Sequence, residues 1–336
     1  MRFGPVPVDQ ALDAILAHTM MPGGRRLGKG HVLTGDDITA LRSAGVKSVV
    51  VATLGADDVS EDAAAARLAA ALVPDGGMAG IGLSKPHAGR VNLIATRAGI
   101  VALDAAAIHR LNRIDPSVTL ATLPVYQRVT PGTMVGTVKI IAYAVAETAL
   151  AAACTAAQAA IVVHPVTCRS AGLILTRAPG ADGKLATKAR EAIARRLTRL
   201  GMELAEVVRV PHTIPDLSVA LGNLQGDMLL ILTGAATSDM HDTAPEALRQ
   251  AGGVVARFGM PVDPGNLLFH GTLGGRPVIG LPGCARSPAL NGADWVLERM
   301  ACGMVISDDD VAGMGVGGLL KEIPLRPEPR ERPQRG

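Results

Sequence analysis

The segment Met228-Leu-Leu-Ile-Leu232 limits the fold more than any other part of the chain. Five large apolar residues stand in succession and run directly into Thr233-Gly234. A strand with no alternation must be buried on both faces, and such strands belong to largely parallel sheets covered by helices. The surrounding sequence has the matching rhythm. Strands are predicted at Leu173–Thr176, Leu204–Val210, Met228–Leu232 and Val254–Phe258. Helices fall between them at Thr187–Leu200, Pro215–Leu224 and Pro245–Ala251, the first with Ile193, Leu197 and Leu200 on one face. Leu267–Leu273 and Pro277–Leu281 flank Gly274-Gly275, a hairpin signal, and Ala289–Met300 is the last good helix. The expected class is α/β, with a mostly parallel sheet, one antiparallel hairpin and helices on both faces.

The first half of the chain reads differently. A short helix is predicted at Asp9–His18. Arg25–Gly30 is a basic, Gly-rich turn. A second helix follows, capped by Thr34 or Asp36 and stopped by Gly45. Val46–Leu54 is a strand, and Ser60-Glu-Asp opens a helix over Asp62–Leu72. Four further strands are expected at Arg90–Ile94, Gly99–Leu103, Val118–Leu123 and Thr137–Val145, with turns between them. The Ala-rich stretch Ile140–Val163 reads as a strand leading into a buried helix, because Glu147, Thr148, Thr155 and Gln158 interrupt it. The resulting division is residues 1–160 as an N-terminal α+β, β-rich region, 161–310 as the α/β domain and 311–336 as a tail.

Composition narrows the function classes. Of the 336 residues, 48% are hydrophobic and 19% charged, a balance that supports a packed core. Aromatic residues make up only 2%, too few for base-stacking platforms, and the net charge of +3 demands no nucleic acid. Cys154, Cys168, Cys284 and Cys302 are scattered, with no C-x-x-C pair, so a structural zinc site is not expected and a reducing cytoplasm is. Pro5, Pro7 and Asp9 rule out a signal peptide in the first residues, and no membrane span is expected.

Two loops carry the chemistry. In Asp227–Asp242, the apolar strand ends in Thr233-Gly234. Ligands of open α/β sheets bind outside the carboxyl ends of the strands. Gly234 allows close backbone approach, Thr237 and Ser238 offer hydroxyls, and Asp239 and Asp242 add negative charge suited to Mg²⁺ or to a donor-rich ring. The bland alternative is a strand-to-helix turn in which Asp239 or Asp242 caps the helix. In the second loop, Gly280-Leu-Pro-Gly-Cys-Ala-Arg-Ser-Pro288, a strand ends at Leu281 and Pro282-Gly283 turns the chain. Arg286 is placed to meet a phosphate, and Ser287 is expected to cap the next helix. Three other patterns are set aside. Gly313-Met-Gly-Val-Gly-Gly318 fits G-x-G-x-x-G but follows acidic residues instead of a strand. His164 and Cys168 read as a backbone-fixed His and a small buried thiol, and Cys284 has no visible base.

Taken in order, these loops resemble the MoCF domain of molybdopterin molybdotransferases, molybdopterin adenylyltransferases and CinA-like proteins. Thr233-Gly-Ala-Ala-Thr-Ser-Asp-Met-His-Asp242 is similar to that family's T-G-G-x-S-x-G-x-x-D loop. Asp263-Pro-Gly-Asn266 is similar to K-P-G-K-P, and Leu281-Pro-Gly-Cys284 to L-P-G-N-P. The likeness covers roughly Val166–Met300. Lys29–Gly45 also resembles the molybdotransferases' G-x-x-L…I…L…G segment. The resemblance implies a three-layer MoCF-type domain that binds molybdopterin or molybdenum cofactor during synthesis, maturation or delivery. Thr233, Gly234, Thr237, Ser238 and Asp242 would hold the pterin or its phosphate, with Pro264, Gly265, Pro282, Gly283 and Arg286 as the facing wall. It also implies a homodimer, and a cytidylyltransferase or a molybdoenzyme chaperone as partner. The alternative is a molybdotransferase-like enzyme that inserts molybdate into adenylylated molybdopterin, with Asp242 and Asp239 as catalytic residues and Mg²⁺ or molybdate beside them. Departures from the pattern favour binding. Thr176-Arg-Ala-Pro-Gly180 stands where the family has G-D-E-L, and both lysines of K-P-G-K-P are absent.

Overall fold

The computed structural model describes residues 1–177 and 183–320. It divides into two compact units, Met1–Pro165 and Val166–Gly336.

The first unit is built on small antiparallel sheets. Ser48–Thr53 lies between Arg2–Pro7 and Ile15–Leu16. A four-stranded sheet runs Ile81–Leu83, Arg90–Ala95, Met134–Ile140, Val118–Thr122. The helix Gly35–Ser43 starts at Thr34 with a capping box, in which Thr34 and Asp37 each accept the other's backbone N–H. Asp37 is fully buried, 2.6 Å from His31 Nε2 and ion-paired with Arg25. Burial raises its carboxyl, but the bonds from His31 and Thr34 outweigh that and bring it down to about 2. The main core joins Leu68 and Leu72 of the helix Glu61–Leu72 to Val91, Leu93, Val138 and Ile140 of the sheet.

Three expectations for this unit are corrected. Asp9–His18 is not a helix: Val8–Gln10 forms one 3-10 turn, Asp13 takes a positive φ of 61°, and Ile15–Leu16 pairs with Ala52 and Val51. Tertiary pairing overrides local propensity there. A helix at Ala105–Ile114 occupies what reads as a turn; Asp104 caps it by accepting from Ala107 N, and Ile108 and Leu111 are buried. The strand expected over Thr137–Val145 is two strands, Met134–Ile140 and Ala144–Ala146.

The second unit has one six-stranded sheet. Its strands are β1 (Ser170–Arg177), β2 (Glu203–Pro211), β3 (Met228–Leu232), β4 (Val254–Phe258), β5 (Phe269–Leu273) and β6 (Arg276–Leu281), in spatial order β2-β1-β3-β6-β5-β4. The pairings β1–β2, β1–β3 and β3–β6 are parallel, and β5 is antiparallel to both β6 and β4. The sheet is therefore mixed, and the edge strand β4 joins the antiparallel part as well as the hairpin. Helices α1 (Gly183–Thr198), α4 (Gly292–Ala301) and α5 (Asp308–Gly313) cover one face, and α2 (Ile214–Asn223) and α3 (Thr243–Gln250) the other. Leu230 and Leu232 enter the first core while Leu229 and Ile231 enter the second. Each of these buried side chains contributes roughly 1.5–3 kcal/mol, which is why the run has no polar position. Past residue 310, Val311 and Met314 are buried in the first of these cores. Of the tail expected over 311–336, residues 321–336 lie outside the described residues.

Candidate functional site

The carboxyl ends of four adjacent strands converge. β3 ends at Leu232, and Thr233 is buried with its hydroxyl donating to the Ala235 carbonyl at 2.5 Å. Gly234 N donates to Thr176 Oγ1 at 2.8 Å, on neighbouring β1. The same hydroxyl lies 2.9 Å from His212 Nδ1, just past the end of β2. From the end of β6, Arg286 reaches across and donates through Nη2 to the Thr233 carbonyl. Burial pushes its guanidinium below the ordinary value, and Nη1 donates to the Gly283 carbonyl at 3.3 Å.

The loop after β3 is internally bonded. Ser238 N donates to Asp242 Oδ2 at 2.9 Å, and Thr243 N to Asp242 Oδ1 at 2.6 Å. Asp242 is the N-cap of α3. Its carboxyl is held below the usual range first by the Ser238 N–H, against burial, with help from Thr243 and from nearby His212. Asp239 Oδ1 accepts from His241 N at 2.8 Å. Thr237 is buried, while Gly234, Ser238 and Asp239 are exposed.

A buried scaffold supports the second loop. Arg196 of α1 is 4% exposed. Its Nε donates to Asp294 Oδ1 at 2.7 Å, Nη1 to the Ala285 carbonyl at 2.9 Å, and Nη2 to the carbonyls of Ser287 and Ala289 at 2.8 and 3.0 Å. Pro282 is buried and Gly283 exposed, in a 3-10 turn spanning Gly283–Arg286. Ser287 does not cap the following helix. Asn291 does, through a capping box with Asp294, so α4 begins at Gly292. Three residues separate Ser287 from that cap, and Arg196 bonds the carbonyls of Ser287 and Ala289 along this stretch.

Pro264 and Gly265 are placed against the start of α4. The Pro264 carbonyl accepts from Gly292 N at 2.8 Å, and a Cβ on Gly265 would stand 2.7 Å from that nitrogen. The structure thus ties Thr233 through Arg286 to Gly283, Gly234 to Thr176, and Ser238 to Asp242, while Pro264 and Gly265 make their contacts at the helix. Among the described residues no group of three or more His, Cys, Asp or Glu side chains is arranged for a metal. No helix among them is long and apolar enough to cross a membrane. Gly313–Gly318 follows helix α5 and packs on Pro261, unlike a phosphate loop after a strand.

Sequence reasoning missed His212, Thr176 and Arg196 as parts of this site. Thr176 had the same signal as Thr233, a polar residue at the end of a buried strand, whereas His212 follows an edge strand with no buried residue and carried no such mark. Arg196 sits between Ile193 and Leu197 on the apolar side of α1, where a charge needs a buried partner.

Residues 172–300 match the model of the probable molybdopterin binding domain. That stretch contains all the loops above, and the second unit is a MoCF-type domain. Residues 5–53 match the domain of unknown function DUF8806. Similar solved structures include the molybdopterin biosynthesis moea protein from Pyrococcus horikosii, at 16% identity over 90% of this chain and 76% of that one, with a TM-score of 0.31. Another is a molybdenum cofactor biosynthesis protein from Pyrococcus furiosus, at 12% identity over 93% of this chain and 65% of that one, with a TM-score of 0.23. No curated protein matches the chain.

Proposed function

We propose that the second unit binds molybdopterin or a molybdenum-containing form of it, and that the chain serves molybdenum cofactor biosynthesis, maturation or delivery. The observation that carries this reading is the pair of loops that follow two adjacent parallel strands, tied together by the bond from Arg286 to the Thr233 carbonyl. The residues fit a phosphorylated, donor-rich ring. Arg286 engages carbonyls through Nη1 and Nη2, and a guanidinium has further N–H groups to offer a phosphate. Gly234, Gly283 and Ser238 leave exposed backbone and a hydroxyl beside it. Asp242 would accept from the pterin's N–H groups, as Thr237 and Thr233 shape the floor.

Binding is favoured over turnover because Thr176-Arg-Ala-Pro-Gly180 stands where the similar enzymes carry G-D-E-L and both lysines of K-P-G-K-P are absent, while the two candidate carboxylates hold local structure. Asp242 caps a helix and Asp239 closes its own turn. In the second reading, a molybdotransferase-like enzyme, Asp239 or Asp242 would position molybdate or Mg²⁺ through the lone pairs those bonds leave open. The partner would then be substrate alone, whereas a carrier would hand its ligand to a cytidylyltransferase or a molybdoenzyme chaperone.

The test is an anaerobic titration of the full chain with molybdopterin, followed by an assay for molybdate-dependent product. Saturable binding without product is the expected result. Product formation would establish the enzyme reading, and no binding would sink both. Arg286→Ala should weaken binding about tenfold or more, the worth of a charge-assisted hydrogen bond.

A further inference from the structure

The sheet of the second unit ends on one side in β2, which has β1 as its one neighbour. β1 and β3 are buried along nearly their whole length, whereas no residue of β2 is fully buried. Yet β2 carries the apolar side chains of an inner strand. Leu204 and Val207 pack on the core under α1, and Val208 and Val210 on the core under α2. Both cores therefore reach the edge and stop half covered. An open groove lies along each face. One, of about 480 Å³, runs between β2 and α2 past Val208, Val210 and Val219, and Val219 is 66% exposed. The other, of about 540 Å³, lies by Leu204, Val207, Arg190 and Arg209.

The backbone of this edge is open as well. Arg177 is in register with Pro211, and its carbonyl accepts from His212 N at 3.3 Å. Successive residues of a strand aim their N–H and C=O groups to opposite sides. Glu206, Val208 and Val210 therefore face β1, as His212 does, and Val207 and Arg209 turn their groups outward. A row of such groups is a template for another strand. A register shift before Glu206 and the missing N–H of Pro211 bound the template at either end.

Charge selects the strand that fits. β2 is acidic in its first part, at Glu203 and Glu206, and basic in its second, at Arg209. A second copy laid parallel would set like charges together. Laid antiparallel, it sets each acidic part beside the other's basic part and brings the apolar grooves together. A two-fold contact uses the same patch on both copies, as this one does.

We infer that two copies of the chain join at this edge: β2 pairs antiparallel with β2 of the second copy, about a two-fold axis at Val207 or Val208. The two six-stranded sheets become continuous, and the exposed Val219 of each α2 is covered at the joint. This assigns a surface to the expected homodimer, and it holds whether or not the unit binds a pterin.

Sedimentation of the full chain should show a monomer–dimer equilibrium. Under mild oxidation, Val207→Cys or Val208→Cys should give a disulfide-linked dimer that the parent chain does not. Val207→Pro removes one outward N–H and none of the bonds to β1, a position at which an edge strand tolerates proline. It should raise the dimer dissociation constant at least about tenfold, the worth of two neutral hydrogen bonds, one lost from each copy. A parent chain that sediments only as a monomer would overturn the proposal. So would a dimer that neither cysteine cross-links, whether or not the Pro variant folds, or one that a folded Val207→Pro variant leaves as tight.

Discussion

The two ends of one sheet are built on opposite plans. At the carboxyl end, the polar side chains that shape the loops are bonded to one another before any ligand arrives: Thr233 to Ala235, Ser238 to Asp242, and Arg196 to three carbonyls and a carboxylate. At the amino end, a cavity of about 450 Å³ is lined by Pro277, Met300 and Ile306 together with Cys168, Asp227 and Thr272, and the buried Nε2 of His270 meets no partner among the described residues. A preorganised polar loop can receive a charged group with little rearrangement. The same strands can therefore present two different chemistries, because the side chains at their two ends differ.

The strongest challenge to this contrast is Arg196→Met. The substitution keeps apolar bulk but leaves the Asp294 carboxylate and the carbonyls of Ala285, Ser287 and Ala289 without their donor. Breaking a buried pair by removing one partner costs about 3–5 kcal/mol. Urea unfolding should show a loss of that order, with molybdopterin affinity falling as the second loop loosens. A loss below about 1 kcal/mol, the scale of an exposed pair, would mean that the carboxyl end is not held by its buried scaffold.

The two plans also explain what could be read before the fold was seen. Met228–Leu232 and Val254–Phe258 stand as strands at the predicted bounds, because burial on both faces, or a short β-branched run between glycines and a turn, leaves a local mark. The carboxyl-end loops follow such strands directly in sequence, so Thr233 and Pro282 are locatable from the apolar runs alone. The amino-end cavity has no such mark. Cys168, Asp227, His270 and Met300 come from four separate segments, and only the sheet order brings them together. Register was equally hidden. Asp9–His18 has helical spacing but gives way to pairing with the strand Ser48–Thr53, and the direction of β4 depends on β5, not on its own residues.

Asp242 offers a smaller and more discriminating test, since it is both helix cap and candidate ligand group. Asp242→Ala should cost about 1 kcal/mol of stability through the lost cap, and Asp242→Asn only a few tenths, because Asn caps as well. Molybdopterin affinity separates the roles. If Asp242 meets the ligand as a carboxylate, Asn and Ala weaken binding alike; if it only caps, the Asn variant binds as the parent does. Its pH dependence follows from the depressed folded value. The ionised form is favoured by folding, so its contribution is complete above the ordinary carboxyl pKa of about 4 and is lost as pH falls through the lower folded value. The parent's advantage over Asp242→Asn should shrink in acid. An advantage that grows there would reverse the assignment of those bonds.

The least effect is expected at Cys168, and it probes the other end. Burial raises this half-buried thiol above its ordinary value, Asp227 adds to the rise, and a bond with Thr167 opposes it. The thiolate is the reactive form, so alkylation by iodoacetamide near pH 8 should run several-fold slower than for an unperturbed thiol of pKa about 8.5. Asp227→Asn removes the charge while keeping an acceptor for the Arg169 and Ser170 N–H groups, and should speed the reaction modestly. A rate like that of an exposed thiol, unchanged by Asp227→Asn, would mean that water reaches Cys168 as freely as it bathes the carboxyl-end loops, and the contrast between the two ends would fail where it is most exposed to test.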